Sequence, residues 1–403
     1  MSAQQAQMSA GDANTLATGL ITSRAIKMVQ NIFSQTVNPA TNPIITVQPQ
    51  PVGLVLGWIV EVVADLADPG VGNSYALTPF GPANIFSQIQ FNDLSNVTRI
   101  QTSGWHLHSI NSAKGGAPYL AARPNLNYPV AFGDVFGGNL AANQAQNIIQ
   151  AASVYDHTHF AQGVQMMYWV PSAYSMTDLR GAYYGNVVNA NCQLQFTINQ
   201  QAFVAAAGDP VNAVYQGVGA SVGGAFGTSF TVNVYQIYYD QLPVDPQTKQ
   251  VILPYLSMSV IYDIKNSTFP GVTANQDFPI SYANFRDFLS TTVIYDNPNV
   301  GVLPVPGSDV NYWALRQANS LNIFKYPAKY TGLFSRSVVG DDFPPSCYFF
   351  DSRNKPISTV AFGNMQLILN AAVANGNPNC QVGFEAFSYQ NTIAAASSLS
   401  SGT

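Results

Sequence analysis

The sequence predicts an all-β chain built as two tandem sandwiches, and three observations predict it. First, 18 of the 20 acidic residues are Asp, with Glu only at positions 61 and 385. Asp favours turns and caps, whereas helices favour Glu and Lys. Second, aromatics make up 12% of the chain, with 21 Tyr and 23 Phe, and short alternating runs stop at Gly, Pro and Asn turns. Third, 403 residues exceed what one hydrophobic core ordinarily serves. Charged residues are only 9% of the total, against roughly 25% in average soluble domains. Interface cores are depleted in charge and enriched in aromatics, so this composition fits either a surface largely covered by neighbours or a secreted β protein with a polar uncharged coat.

Residues 1–40 read as an arm. The first fourteen, MSAQQAQMSAGDAN, are small and polar. From Thr15 to Phe33, Leu16, Leu20, Ile21, Ala25, Met28, Val29 and Ile32 recur at spacings of three and four, which predicts an amphipathic helix. Pro39 and Pro43 stop it. Arg24 and Lys27 lie off the apolar stripe and are the arm's basic residues. Such a helix packs on its own domain or meets a partner surface.

Residues 41–243 form the first predicted sandwich. Ile44–Gln48 and Val52–Val63 are β-rich, and LADPGVGN (66–73) is a turn. The stretch Leu77–Pro118 opens on the turn PFGPAN, alternates from Ile85 to Phe91, turns at Asn92–Asn96 and alternates again from Arg99 to Ile110. Residues 121–165 read as a surface excursion. Strands follow at Gln165–Val170, Leu194–Ile198 and Phe230–Tyr239, with a Gly-rich loop at Gly217–Gly227. DQLPVDPQTK (240–249) is the best boundary. Residues 244–390 form the second sandwich and 391–403 a small polar tail.

The second half restarts the first. Ala83–Asp93 has a counterpart in Ala283–Asp296, in each case a short helix-like opening running into a strand, and Trp105 has one in Trp313. A period one domain long reads as a duplicated domain. Two eight-stranded sandwiches in tandem, a double jelly roll with a short N-terminal helical arm, is the predicted fold.

Candidate chemistry is sparse. The four histidines form two His-x-His pairs, His106/His108 and His157/His159. On a strand each pair shares a face and could hold a metal, as in a cupin-like jelly-roll enzyme. The first pair has no nearby carboxylate, so structural histidines are the favoured reading. Cys192, Cys347 and Cys380 are odd in number and widely spaced, which reads as buried thiols of a protein made in a reducing cytosol. No secretion signal is read at the N-terminus, and the apolar run Val52–Val60 is far short of the ~20 residues of a membrane span. There is no GxxxxGK[ST], which argues against nucleotide binding. Asp341–Asp342 reads as turn chemistry. The basic residues Arg316, Lys325, Lys329, Arg336, Arg353 and Lys355 read as a salt-bridged, solvated face, or as a basic patch on an inner face or subunit contact. A net charge of −5 argues against nucleic-acid packaging.

FGPAN, TSGWHLH and NSAKGGAP, with MYWVPSAYSMTDLRGA (167–182) and AVYQGVGA (213–220), resemble the major capsid proteins of tectiviruses, tailless icosahedral phages with an internal membrane. The resemblance implies a non-enzymatic coat protein without cofactor or metal, located in the virion after synthesis in the host cytoplasm. It implies a pseudo-hexagonal homotrimer whose partners are neighbouring capsomers, vertex and minor capsid proteins, and the internal membrane. The expected inner-face residues are Leu16, Leu20, Arg24, Lys27 and Met28. The alternatives are the cupin-like metal-binding enzyme and a host- or carbohydrate-binding virion spike.

Overall fold

The computed structural model describes residues 9–38, 41–66, 74–77, 80–114, 130–132, 154–156, 163–187, 191–200, 215–218, 226–296, 309–317, 321–339, 343–344, 347–374 and 378–389. Sixteen strands form its framework. In the first half they are β1 (Ile26–Val37), β2 (Ile44–Val47), β3 (Leu54–Leu66), β4 (Phe86–Asn92), β5 (Thr98–Thr102), β6 (Gly163–Pro171), β7 (Gln193–Ile198) and β8 (Phe226–Asp240). In the second they are β9 (Val260–Pro270), β10 (Asp277–Ser281), β11 (Arg286–Asp296), β12 (Val310–Gln317), β13 (Leu321–Pro327), β14 (Cys347–Asp351), β15 (Met365–Ala371) and β16 (Asn379–Tyr389). Three helices matter here: α1 (Ala10–Arg24), α2 (Gly104–Ala113) and α3 (Ala328–Val339).

The pairing is that of a jelly roll, made twice. The first half orders its strands β1-β8-β3-β6 in one sheet and β2-β7-β4-β5 in the other. The second repeats this as β9-β16-β11-β14 and β10-β15-β12-β13, so each strand corresponds to the one eight places later. α2 follows β5 as α3 follows β13. Alternation sets the faces: on β16, Cys380, Val382, Phe384 and Ala386 enter the second sandwich's core, while Phe387 points the other way into the first half's core. A strand buried on both faces has little room for charge.

The halves share a sheet. β5 runs parallel to β9, with Ile100 opposite Ile264 and Gln101 opposite Lys265. The second sheet of the first sandwich thereby continues into the first sheet of the second.

Three expectations need correction. The helix predicted over Thr15–Phe33 is instead α1, Ala10–Arg24, followed directly by β1. Ser9 caps it, its side chain accepting from the Asp12 N–H, which is a strong helix start. From Ile26 onward the β-branched residues pair over the length of β8, and a long ladder overrides the helical spacing. The run Arg99–Ile110 is a strand only to Thr102; Ser103 then caps α2, accepting from the His106 N–H. The internal repeat is present, but its proposed markers are not counterparts. Trp105 lies in α2 and Trp313 in β12, while Ala83 precedes β4 and Ala283 precedes β11. The connection after α2 spans residues 114–162 against 340–346 after α3, so no fixed offset relates the halves. His157, His159, Asp341, Asp342, the tail 391–403 and most of 121–165 and 217–227 lie outside the described residues.

Candidate functional site

The sequence blocks that stand out converge on the joint between the sandwiches. Tyr168 donates its hydroxyl to the Ala83 carbonyl at 2.8 Å, and Asn111 donates from Nδ2 to the Trp169 carbonyl at 3.1 Å. These bonds tie FGPAN, α2 and the MYWVP strand together. Gly104 is required at the close approach: a Cβ there would sit 2.3 Å from the Ala83 oxygen. Trp105 packs edge-on to Phe80 at 5.0 Å and stacks on Phe343 of the second half at 5.5 Å.

α2 therefore lies on the outer face of the β9-β16-β11 sheet. His106 fills the space over Gly383, where an added Cβ would meet the ring at 2.4 Å. Burial lowers the His106 pKa to about 4, with a backbone contact from Gln381 pulling weakly the other way, and lowers His108 to about 4. Both are neutral at pH 7. On a helix, residues i and i+2 point about 200° apart, so the first His-x-His pair does not share a face as the strand reading required. Among the described residues no group of three or more His, Cys, Asp or Glu could hold a metal.

At the end of α2 sits a charged node that joins the halves. Glu385 on β16 is fully buried. Its carboxylate takes hydrogen bonds from Tyr262 (2.5 Å) and Ser290 (2.5 Å) and pairs with Lys114 at 2.6 Å. The Lys114 ammonium sits over the rings of Tyr174 at 4.1 Å and Tyr262 at 4.6 Å. Burial pushes the Glu385 carboxyl up, but Lys114, Ser290 and Tyr262 outweigh it and hold the group below its ordinary value. Burial likewise pulls the Lys114 ammonium down, and Glu385 offsets that only in part. Arg353 of the second half donates to the Ala113 carbonyl at 2.7 Å, capping α2 while pairing with Asp351. Arg99, paired with Asp93, donates to Gly181 O at 2.7 Å, and Gly181 N–H donates to the Ser257 carbonyl between the sandwiches. These groups satisfy one another; the arrangement fixes one sandwich against the other.

The remaining expected residues are spread out. Leu16, Leu20 and Arg24 lie on α1, Lys27 and Met28 on β1. α1 buries Ala17 and Ile21, Ile21 packing with Leu54, Leu56, Trp169, Ile237 and Tyr239, while Leu16 and Arg24 stay exposed. No described helix is long and apolar enough to cross a membrane. Most of the basic run of the second half is engaged locally: Arg316 pairs with Asp277, Arg353 with Asp351, Arg336 donates to the Phe343 carbonyl, and Lys325 and Lys329 lie over Tyr312 and Tyr330. All three cysteines are buried and no disulfide joins them; burial raises the Cys192 thiol to about 11.

Two family models match in tandem, the P3 major capsid protein N-terminal domain over residues 6–242 and its C-terminal domain over residues 259–401. The chain belongs to the P3 major capsid protein family. It is 35% identical over 390 residues to major capsid protein P3 of Enterobacteria phage PRD1, covering 96% of this chain and 94% of that one. Two solved structures share the fold, each with a TM-score of 0.61 and 9% identity. The STIV MCP is matched over 91% of this chain and 97% of its own, and a chain in the atomic structure of Sulfolobus Turreted Icosahedral Virus over 92% and 93%. The tectiviral resemblance and the double jelly roll are thus found. In this chain the blocks FGPAN, TSGWHLH and MYWVPSAYSMTDLRGA hold the joint. The sequence reading missed Lys114, Glu385, Tyr262, Ser290 and Arg353. One signal was available: Glu385 is one of two glutamates in a charge-poor chain and lies within an apolar strand.

Proposed function

We propose that the chain is the major coat protein of an icosahedral shell around a membrane-enclosed genome, working as a pseudo-hexagonal homotrimer without catalysis or cofactor. The observation that carries this is the eight-place correspondence of strands. One chain presents two similar sandwiches locked at a fixed joint, so three copies present six near-equivalent sides. We take the units as residues 41–243 and 244–390, with the arm 1–40 before them, its β1 completing the first sandwich by pairing with β8, and the tail 391–403 after.

α1 and the start of β1 supply the inner-face contact. Leu16, Arg24, Lys27 and Met28 are exposed and Leu20 is half-buried. Each cation adds only ~1 kcal/mol near an anionic surface, so contact with lipid depends on copy number. Vertex proteins, minor capsid proteins and neighbouring capsomers are the remaining partners, and synthesis is in the host cytoplasm. Particles purified from infected cells test the reading: this chain is the dominant protein band of the shell. A band present at only a few copies per particle would make it a spike instead. Flotation of isolated shells with anionic vesicles, lost on Leu16→Asp with Arg24→Glu, tests the lipid contact.

A further inference from the structure

The block MYWVPSAYSMTDLRGA ends in a closed turn, residues 172–182, directly after β6. Its own backbone shuts it: Tyr174 N–H donates to the Arg180 carbonyl at 2.9 Å, Ser175 N–H to that of Asp178 at 3.1 Å, and Ala182 N–H to that of Leu179 at 3.0 Å. The side chains of this turn divide between two partners. Ala173, Leu179 and Ala182 are buried in one cluster with Ile21 of α1 and with Leu54 and Trp169 of the first sandwich. Tyr174 and Arg180 instead meet the second sandwich. Tyr174 lies edge-on to Tyr262 at 5.6 Å and against Phe387 at 5.3 Å, and the Arg180 guanidinium sits 4.0 Å over the Phe387 ring. The same Tyr174 ring carries the Lys114 ammonium. A single turn therefore touches both the seat of α1 and the charged joint.

A second connection runs through Ser257, in the short helix Tyr255–Ser259 that leads into β9. Asn14 of α1 donates from Nδ2 to Ser257 Oγ at 3.0 Å, and Ser257 N–H donates to Asn14 Oδ1 at 3.1 Å. The Ser257 carbonyl accepts from Gly181 N–H of the turn at 3.1 Å. One residue thus holds α1 and the turn against the chain entering the second sandwich. α1 spans the halves, with Ile21 anchored in the first and Asn14 at the entry to the second. At 15 residues it is marginal as an isolated helix in water, so it is ordered by this seat. In return it covers the apolar side of the turn and satisfies Ser257.

We infer that α1 is a brace for the joint: its seating and the closure of the Lys114–Glu385 contact form one cooperative unit, transmitted through residues 172–182 and Ser257. A partner that takes hold of the arm then loosens one sandwich against the other. The coupling is a property of the single chain and needs no particular partner. By linkage it runs both ways, so a weakened joint also releases α1.

Native cysteines of the full chain report the joint. Cys347 of the second half is buried in the cluster that contains the first sandwich's core, whereas Cys380 is buried in the second sandwich's own core. Asn14→Ala removes both bonds to Ser257 from a half-buried position and leaves Ile21 in place. Labelling by iodoacetamide, read by peptide mapping, becomes about tenfold faster at Cys347 for two lost hydrogen bonds of ordinary strength, with Cys380 at the wild-type rate. In the opposite direction, Lys114→Met speeds tryptic cleavage after Arg24, which is exposed at the end of α1, again without faster labelling of Cys380. Unchanged Cys347 labelling in the first variant, or unchanged cleavage in the second, overturns the coupling. So does a rise at Cys380 equal to that at Cys347, which would report general loss of stability.

Discussion

Lys114→Met removes one charge from the joint and leaves the other buried. Glu385 is fully enclosed, and its charged partner, at 2.6 Å, belongs to the opposite sandwich. Breaking a buried pair from one side costs about 3–5 kcal/mol, because the remaining charge has lost its compensation. Tyr262 and Ser290 still donate to the carboxylate, and bonds to a charged group contribute about 1.5–3 kcal/mol each. The loss therefore falls near the lower end of that range, about 3 kcal/mol. Lys114→Met combined with Glu385→Gln replaces the charge by an amide that keeps both hydroxyl partners, so the double variant loses less than the sum of the single ones, with a coupling of about 2–3 kcal/mol. The pH dependence has a sign. In the native protein the Glu385 carboxyl lies below its ordinary value, so its contribution is full above the unfolded carboxylate pKa and fades as pH falls through the folded one. Without Lys114, burial dominates and raises it. The penalty of Lys114→Met then shrinks as pH drops from 7 to 5. Calorimetry is the appropriate assay, since two sandwiches need not unfold as one unit. A Lys114→Met variant as stable as wild type, or an additive cycle, would refute the node as the link between halves.

Other outcomes follow from the same geometry. His106 at about 4 when folded, against about 6.5 unfolded, contributes stability that is complete above pH 6.5 and lost as pH falls toward 4. At pH 5 the His106 share of the loss is about 2 kcal/mol, read as a falling Tm that His106→Leu makes shallower while the similarly lowered His108 keeps its own share; an equal decline in that variant would contradict the assignment. Gly383→Ala places a methyl against the His106 ring and costs about 1–3 kcal/mol, recovered in part by His106→Ala; no change in the unfolding midpoint would speak against this packing. Zinc titration gives the same heat for wild type and for His106→Ala with His108→Ala, because the helix points the rings apart; extra heat in wild type would restore the metal reading. Ile21→Ala, which uncovers Leu54 and Trp169, costs about 2–5 kcal/mol and increases proteolysis ahead of β1; equal cleavage rates would detach α1 from the fold.

The β class was legible because Asp-rich turns, aromatics and short alternating runs all point one way. The duplicated architecture was legible in its length and its central boundary, but the residue correspondence was not. The first half's long connection after α2 removes any constant spacing, and only strand order reveals the repeat. α1 and β1 show why periodicity misled: apolar residues at Ile26, Met28, Val29 and Ile32 fit a helical stripe, yet the partner strand β8 decides the outcome. Ser103 was a cap signal inside an apparent strand, and it converts a shared histidine face into two divergent rings. The joint was half visible. Its blocks drew notice as sequence, but the meeting of Lys114 with Glu385, far apart in the chain, comes from the tertiary fold alone.

The most direct measurement is imaging of the purified protein in negative stain, with its mass determined in solution on the same sample. Hexagon-outlined particles with six similar lobes, at three times the 43.3 kDa chain mass, are the expected result. Particles with the mass of one chain or of two, without a six-lobed outline, would contradict the account.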